Sequence, residues 1–386
     1  MASWYDSVEA TNNNTVTLRS AVPRPATFDF FESFNMGDRV SLEAGEATKA
    51  IGTGAFKLGE WRPGDRFNMV KNPAYWEPGK PLLDEQVYGV GIEPQTLIVQ
   101  FESNALDVVV RPAIRDFIRF RDSGSAQAIV HQSSGAYYAL GYNTTWKPFD
   151  DKRVRQAMTW ALDRDAFAKT VLQGTIVPYS LPWGPASVAY EKEKRNHYKF
   201  DLKKAKALVD AAGVGTFEPD VVMTPENPEM REMSEIYQQY LAKIEVKLNI
   251  RQLETANFVN TINSQPPANN GLWFANASRS NLGSPLTTFT STSVLWGTTR
   301  HKDGFGINNT GYYSDQYKNT IDALILESDP AKQKSLYSRL NDIVLEDCWI
   351  AFLGPKPPRI AAQKNVKNIQ QWPATEGFHY MDTWLA

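Results

Sequence analysis

An apolar strand that leads into an aspartate-capped helix constrains the fold of this chain more than any other sequence feature. The apolar and aromatic run 137–143 is typical of a buried strand. Asp150 or Asp151 can cap the helix that follows. Apolar residues recur in that helix with helical spacing and form one stripe, made of Val154, Ala157, Met158 and Ala161. A strand followed at once by an amphipathic helix indicates a fold that mixes helix and sheet.

The same alternation continues along the chain. Amphipathic helices are predicted over 201–212, 230–244, 314–328 and 329–343. Strands are predicted over 246–250 and 349–353, and a hairpin turns at 61–65. Because strands and helices intermix and no segment repeats, the sequence indicates an α/β or α+β class.

Charge and cysteine content exclude several classes of protein. The 386 residues carry a formal net charge of −2, which argues against nucleic acid or an anionic membrane surface as the main partner. The single cysteine, Cys348, permits neither an intrachain disulfide nor a multi-cysteine metal site. No apolar run is long enough to span a bilayer. The first residues lack a basic segment and an apolar segment, so we expect no signal peptide in this chain.

Residue types that perform catalysis are sparse. The four histidines are scattered, no HExxH or GxSxG motif occurs, and Gly52-Thr53-Gly54 lacks the rest of a phosphate-binding loop. Two of the carboxylates Glu77, Asp84, Glu85 and Asp107 could form a catalytic pair for hydrolysis, but residue spacing alone does not show this. The simpler interpretation is that these side chains lie on a solvent-exposed face. We therefore predict no catalytic residue, no metal site and no cofactor.

Aromatic residues in loops are the strongest sign of a binding surface. Phe, Trp and Tyr make up 12% of the chain, more than a core of this size requires. Trp183 stands between prolines on a stiff loop, and 273–279 combines an indole, an amide, a hydroxyl and a guanidinium. Stiff aromatic walls with a few polar groups suit a small-molecule cleft. The alternative is that each tryptophan packs beneath its own loop.

Several motifs occur in an order that resembles a known family. They are VTL, GTGAFKL, KNPAYW, LDE, YNTTWKPFDDKRVRQAMTWALDR, FDLKKAKALVDAAG and DALILESDPAKQKSLYSRLNDIVLED. This order resembles the large extracellular solute-binding proteins of peptide- and nickel-type ABC importers, solute-binding protein family 5. The resemblance runs from about Tyr5 to the C-terminus, and PFDDKRVRQA followed by ALDR is its most specific part.

The resemblance implies an α/β, two-lobed periplasmic-binding-protein-like fold of type II, in the large peptide-binding class. We expect a first lobe at 1–175 plus 345–386 and a second lobe at 176–344, which close over a solute in the cleft between them. Within the PFDD motif we expect scaffold roles, with Arg153 and Arg155 on the solvent side of their helix.

Two departures from the family pattern bear on function. The family has a whole subdomain before the VTL strand, so we expect an N-terminally truncated first lobe with exposed sheet edges and homodimerisation through them. Peptide-binding members carry an Asp in a W-x-x-D pattern, where this chain has Asn276 after Trp273. An amide does not offset an ammonium as a carboxylate does. With Arg279 nearby, we expect a carboxylate-bearing ligand or one without a free amine.

The predicted function is the substrate-binding component of an ABC importer, periplasmic or extracellular, which captures a small oligopeptide-like or carboxylate-bearing solute and delivers it to a membrane permease. The predicted ligand-binding residues are Tyr142, Asn143, Trp183, Trp273, Asn276 and Arg279. The tryptophans, with Asn276 and Arg279, are expected on the second lobe, opposite Tyr142 and Asn143. Two alternatives are a hydrolase of small molecules built on the truncated scaffold and a fragment without function.

Overall fold

The computed structural model describes residues 5–25, 27–28, 31, 37–45, 51–130, 136–185, 187–225, 228–277, 285–286, 289, 309–371 and 378–386. The chain divides into two compact units. Unit 1 comprises Met1–Phe31 and Gly135–Lys356, and unit 2 comprises Glu32–Ser134 and Pro357–Ala386. The predicted mixture of helix and sheet is confirmed. Among the described helices, none is both long and apolar enough to cross a membrane.

Unit 1 is built on a five-stranded sheet. Its strands are β8 (Tyr137–Tyr142), β9 (Asp220–Met223), β10 (Asn249–Gln252), β11 (Gly271–Ala277) and β12 (Ile350–Pro355), in the spatial order β10-β9-β11-β8-β12. Strands β9, β10, β11 and β12 run parallel, and β8 runs antiparallel between β11 and β12. Every residue of β8 is buried, which explains its unbroken apolar run in the sequence.

Helices supply the rest of the unit 1 core. They are α4 (Lys152–Trp160), α5 (Arg164–Ala166), a π-helix (Phe167–Val171), α6 (Leu202–Ala212), α7 (Pro228–Ala242), α8 (Thr255–Asn263), α9 (Asp315–Leu326) and α10 (Pro330–Asp347). Asp151 caps α4 by accepting a hydrogen bond from the Arg153 amide, as the sequence predicts. The predicted stripe of α4 is buried completely. A separate hairpin, β1 (Ser7–Asn12) and β2 (Thr15–Arg19), also belongs to this unit.

Unit 2 has two antiparallel three-stranded sheets. One has the order β3-β4-β5, from Phe56–Arg62, Arg66–Lys71 and Glu85–Gly89. The other has the order β6-β13-β7, from Val108–Val110, Arg359–Ala362 and Gln127–Val130. Its helices are α1 (Arg39–Ala44), α2 (Pro94–Glu102) and α3 (Ile114–Ser123), and short pairs join β14 (Val366–Lys367) to β17 (Trp384–Leu385) and β15 (Gln370–Gln371) to β16 (Phe378–His379). Its small core centres on Phe101, Phe120 and Ala361.

The predicted lobe boundaries differ from this division. The sequence-based boundaries separate 137–142 and 350–355 from 271–277, whereas β8 forms hydrogen-bonded ladders with both β11 and β12. The predicted boundaries would break the ladder between β8 and β11, so these segments belong to one unit.

Candidate functional site

Strand direction makes one edge of the unit 1 sheet a candidate ligand site. The four parallel strands all end there, and the antiparallel β8 begins there. We call this the carboxyl edge, defined by Gln252, Met223, Ala277 and Pro355 at the strand ends and Tyr137 at the start of β8. In open α/β sheets, ligands bind beyond the carboxyl ends of the strands.

Asn276 lies at the carboxyl edge, while Trp273 lies deep in the sheet. Asn276 is the register partner of Tyr138, and Trp273 pairs with Gly141. Trp273 is 1% exposed. A Cβ built on Gly141 would lie 2.2 Å from Cζ2 of Trp273, so the indole occupies space that only a glycine leaves. The described contacts of Trp273 are those of a core residue.

Tyr142 and Asn143 lie at the opposite edge of the sheet. Antiparallel pairing sets Tyr142 against Leu272, at the start of β11, about 13 Å along the strand from the level of Asn276. Asn143 is buried, and its Nδ2 donates to the carbonyls of Pro267 and Asn269 at 3.0 and 2.7 Å. Its Oδ1 accepts hydrogen bonds from Thr145. The structure therefore does not bring these two residues together with Asn276.

Trp183 packs beneath its loop. It is 6% exposed, and its Nε1 donates to Oδ1 of Asn341 at 2.7 Å. The ring centroid lies 5.0 Å from that of Phe289. These contacts account for the indole without a ligand. Arg279, the sixth predicted residue, lies outside the described residues, as does the side chain of Asn276.

A charged network lies beside the Trp183 loop, at a surface cavity of about 520 Å³. Glu191 accepts hydrogen bonds from Ser338 and Asn341 and pairs with Lys194 at 3.0 Å. Although burial raises the pKa of Glu191, the hydrogen bonds from Asn341, Ser338 and Lys194 together lower it. Lys194 also pairs with Asp342. Glu191 and Lys194 pair with each other and with side chains of α10, which indicates a structural role.

The sequence interpretation missed a buried carboxylate next to the carboxyl edge. Glu229, in the first turn of α7, accepts a hydrogen bond from the Tyr138 hydroxyl at 3.0 Å. Both side chains are buried. From sequence alone, Glu229 cannot be told from the solvated acids that commonly occupy the first turn of a helix.

Among the residues that the structure describes, the titratable groups that could perform catalysis do not converge. His197 is exposed beside Trp160, and partial desolvation of the imidazole and the charge of Lys204 lower its pKa. Cys348 is buried beside Thr159, and burial raises the pKa of its thiol. Such a thiol is unreactive. In the part of the chain that the structure describes, no group of His, Cys, Asp and Glu side chains has the arrangement of a metal site.

Comparisons with known proteins agree on one family. Residues 2–294 match the family described as "Bacterial extracellular solute-binding proteins, family 5 Middle". The dipeptide-binding protein of Escherichia coli is 31% identical over 214 residues, covering 54% of this chain and 39% of the relative. The oligopeptide-binding protein AppA of Bacillus subtilis is 26% identical over 352 residues, covering 88% and 62%. The chain thus spans less than two thirds of the length of these curated relatives.

Solved structures share the fold. The PBP AgaA from A. tumefaciens R10, in complex with agropinic acid, superposes with a TM-score of 0.82 at 20% identity. That superposition covers 100% of this chain and 78% of the other. The predicted periplasmic-binding-protein-like α/β fold of the peptide class is thereby confirmed.

Proposed function

Because this chain belongs to family 5 of the bacterial extracellular solute-binding proteins, we propose that it acts as the substrate-binding component of an ABC importer. In this role it captures a small solute in the periplasm or outside the cell and delivers it to a membrane permease. The family match over residues 2–294 is the observation that carries the proposal. The fold supports it, since the carboxyl edge of the unit 1 sheet is where such folds bind ligands.

The proposed solute is oligopeptide-like or carboxylate-bearing. Curated relatives are named for dipeptides and oligopeptides, and a structural neighbour holds agropinic acid. Of the six predicted residues, we propose Asn276 and Arg279 as the ligand contacts, because Asn276 belongs to the carboxyl edge and Arg279 follows it closely in sequence. Tyr142, Asn143, Trp183 and Trp273 support the sheet and its loops.

A thermal-shift screen tests the proposal. Pools of short peptides, sugars, opines and carboxylic acids are added to the full chain, and saturable stabilisation without product formation is expected for one pool. Arg279→Ala is expected to weaken a carboxylate-bearing hit about tenfold or more, while Trp183→Phe, a change in the core, keeps affinity. A screen in which no pool stabilises the protein would refute a solute-binding role. Turnover of a hit would favour the hydrolase alternative, which no observation described above favours.

We also propose a homodimer formed through the β1–β2 hairpin. In the described residues these strands pair only with each other, and Val8 and Val16 are 64% and 61% exposed. An unpaired edge with exposed apolar side chains can pair with a second copy. Light scattering is expected to give the dimer mass, and Val16→Lys is expected to give the monomer mass. A monomer in the unmutated protein would contradict this assembly.

A further inference from the structure

Positive charge is concentrated in one short segment of this nearly neutral chain. Residues 192–206 contain seven lysine and arginine residues against two acidic residues. Three of the lysines, Lys203, Lys204 and Lys206, lie in the first half of α6. Cations are unfavourable near the positive end of a helix dipole, and no acidic residue lies in the first turn of α6. The chain therefore places lysines where helix stability would favour acids.

Aromatic side chains adjoin these lysines and position two ammonium groups. Nζ of Lys204 lies 3.6 Å from the ring centroid of Trp160, and Nζ of Lys243 lies 5.5 Å from that of Tyr240. The ring centroid of Phe200 lies 4.6 Å from that of Tyr240. Phe200 is 38% exposed, and the other two rings are half-buried. Attraction between a cation and a ring face holds both ammonium groups next to partly exposed rings.

These side chains belong to one continuous surface. The backbone amide of Asp201 donates to the carbonyl of Trp160 at 2.9 Å, which joins the start of α6 to the end of α4. Phe200 precedes Asp201 and contacts Tyr240 of α7, so three helices meet here. We call this surface the basic aromatic face and define it by Trp160, Phe200, Lys203, Lys204, Tyr240 and Lys243.

The three lysines of this face form no ion pair with the described residues. Lys206, beside them on α6, pairs instead with Asp210 and Glu245. Two carboxylates border the face, Asp163 near the Tyr240 hydroxyl and Asp201 at the start of α6. Both accept hydrogen bonds from helix-start amides, where the helix dipole offsets their charge. The ammonium groups of the face are therefore available to an external anion.

The face lies away from the carboxyl edge of the unit 1 sheet. Helix α7 follows β9 and leads to β10, which runs parallel to β9. A helix between two parallel strands returns the chain from their carboxyl ends to their amino ends. Tyr240, in the last turn of α7, therefore lies towards the amino ends of the strands. A partner on this face would leave the carboxyl edge accessible.

We propose that the basic aromatic face binds an anionic phospholipid surface. Lysines near such a surface are attracted by its negative potential, and tryptophan and tyrosine rings favour the headgroup region. The exposed ring of Phe200 adds apolar area that can enter the boundary between headgroups and acyl chains. A small soluble anion would use the lysines but would not use the exposed rings.

This inference goes beyond the proposed transport role and is compatible with it. The near-zero net charge argues against a membrane as the main partner of the whole chain, whereas the basic aromatic face concerns one side of unit 1. Contact through this face would keep the protein beside the membrane in which a permease lies, while the solute remains its main ligand.

Sedimentation with lipid vesicles tests the inference on the full chain. At low ionic strength, the protein is expected to sediment with vesicles of phosphatidylcholine and phosphatidylglycerol in equal amounts. It is expected to stay in solution with vesicles of phosphatidylcholine alone. Added salt is expected to weaken the binding, because salt screens exposed charges. The variant Lys203→Gln/Lys204→Gln is expected to lose about tenfold or more in affinity for the anionic vesicles.

Two further variants separate this face from diffuse attraction. Lys332→Gln/Lys334→Gln removes two exposed lysines from the start of α10 and is the matched control, which is expected to retain binding. Phe200→Ser keeps the net charge and is expected to weaken binding several-fold, because the apolar contact is lost. All the substituted side chains are exposed, and circular dichroism checks that each variant folds.

The contradicting outcomes are distinct. Equal binding to the two kinds of vesicle, or equal loss in the two lysine variants, would overturn the inference. Unchanged affinity of Phe200→Ser would overturn it as well, since charge alone would then account for the binding. Binding to polyglutamate but not to anionic vesicles would identify an acidic polypeptide as the partner instead. Because the vesicles contain neither permease nor solute, none of these outcomes bears on the proposed solute binding.

Discussion

Two arginines in one helix turn show how differently neighbouring residues of the same type are used. Arg153 is exposed and pairs with Asp151 at the helix start. Arg155 is 3% exposed, and its guanidinium donates to the carbonyls of Phe149, Asp150 and Asp347. The prediction that both lie on the solvent side is correct for Arg153 and wrong for Arg155. Arg155 links the loop before α4 to the end of α10, so it holds the motif together.

We expect Arg155→Ala to destabilise the protein by about 2–5 kcal/mol, because three backbone carbonyls lose the hydrogen bonds of a buried guanidinium and a cavity remains. Thermal unfolding followed by circular dichroism measures the change. Arg153→Ala is the control and is expected to melt within a few degrees of the unmutated protein, since exposed pairs contribute little. Equal melting temperatures for the two variants would contradict a structural role for Arg155.

Gly141 is a second residue whose role depends on a close approach. Because a Cβ at this position would overlap Trp273, we expect Gly141→Ala to cost about 3 kcal/mol or more, or to prevent folding. Gly184→Ala is the matched control, since its Cβ would meet nothing closer than the Tyr179 hydroxyl at 3.7 Å. Urea unfolding of both variants checks the prediction. A Gly141→Ala protein as stable as the control would show that Trp273 can move away at little cost.

At the scale of elements, a polar network fastens the loop 187–195 to α10. Asn341 accepts a hydrogen bond from Trp183 and donates to the carbonyl of Ala189 and to Glu191. Glu191 and Lys194 are each less than a fifth exposed, so solvent screens their interaction less than that of a surface pair. The sequence predicts a stiff loop at Trp183, just before this segment, but the partners that fix the position of both come from a helix more than a hundred residues later.

This network predicts a pH dependence. A carboxyl group whose pKa is lowered on folding stabilises the protein above its usual pKa of about 4.3, and the stabilisation is lost as the pH falls through the lowered value. We therefore expect the unmutated protein to melt several degrees above Glu191→Gln at about pH 6, and the gap to narrow below about pH 4. Glu193→Gln, at an exposed position of the same loop, is expected to show no such gap. A gap that is independent of pH would contradict the role of the Glu191 charge.

At the scale of the whole molecule, the five-stranded sheet decides which segments fold together. All five strands and the helices packed on them lie between 137 and 355. The segment 176–344, predicted from sequence as one lobe, would lack β8 and β12. It would therefore expose the ladder-forming groups of β11.

We accordingly expect a protein of residues 136–356 to be soluble and to unfold cooperatively, because it keeps both ladders of β8. A protein of residues 176–344 is expected to aggregate or to remain unfolded. Circular dichroism and thermal melting of the two proteins distinguish the unit boundaries seen in the structure from the lobe boundaries predicted from sequence. Cooperative unfolding of 176–344 alone would favour the boundaries predicted from sequence.

The sequence by itself determined the family, the class of fold and most elements near the family motifs, because these depend on local patterns. The Asp151 cap, the buried stripe of α4 and the continuous apolar run of β8 are set by residues a few positions apart. The sequence also marked Asn276 as a departure from the peptide-binding pattern.

Only the tertiary structure decided which segments share a sheet and which side chains meet, because strand pairing and burial depend on residues far apart in the chain. Tyr142 and Asn276 were expected at one site, and antiparallel pairing places them at opposite edges. Trp183 and Trp273 were expected to line a ligand cleft, but both are buried in the core. Trp183 donates a hydrogen bond to Asn341, and Trp273 packs against Gly141. In the sequence Glu229 looks like an ordinary acidic residue at the start of a helix, whereas in the structure it is buried and accepts a hydrogen bond from Tyr138. Whether each of these residues belongs to the core or to the candidate site depends on long-range packing, which local sequence patterns do not encode.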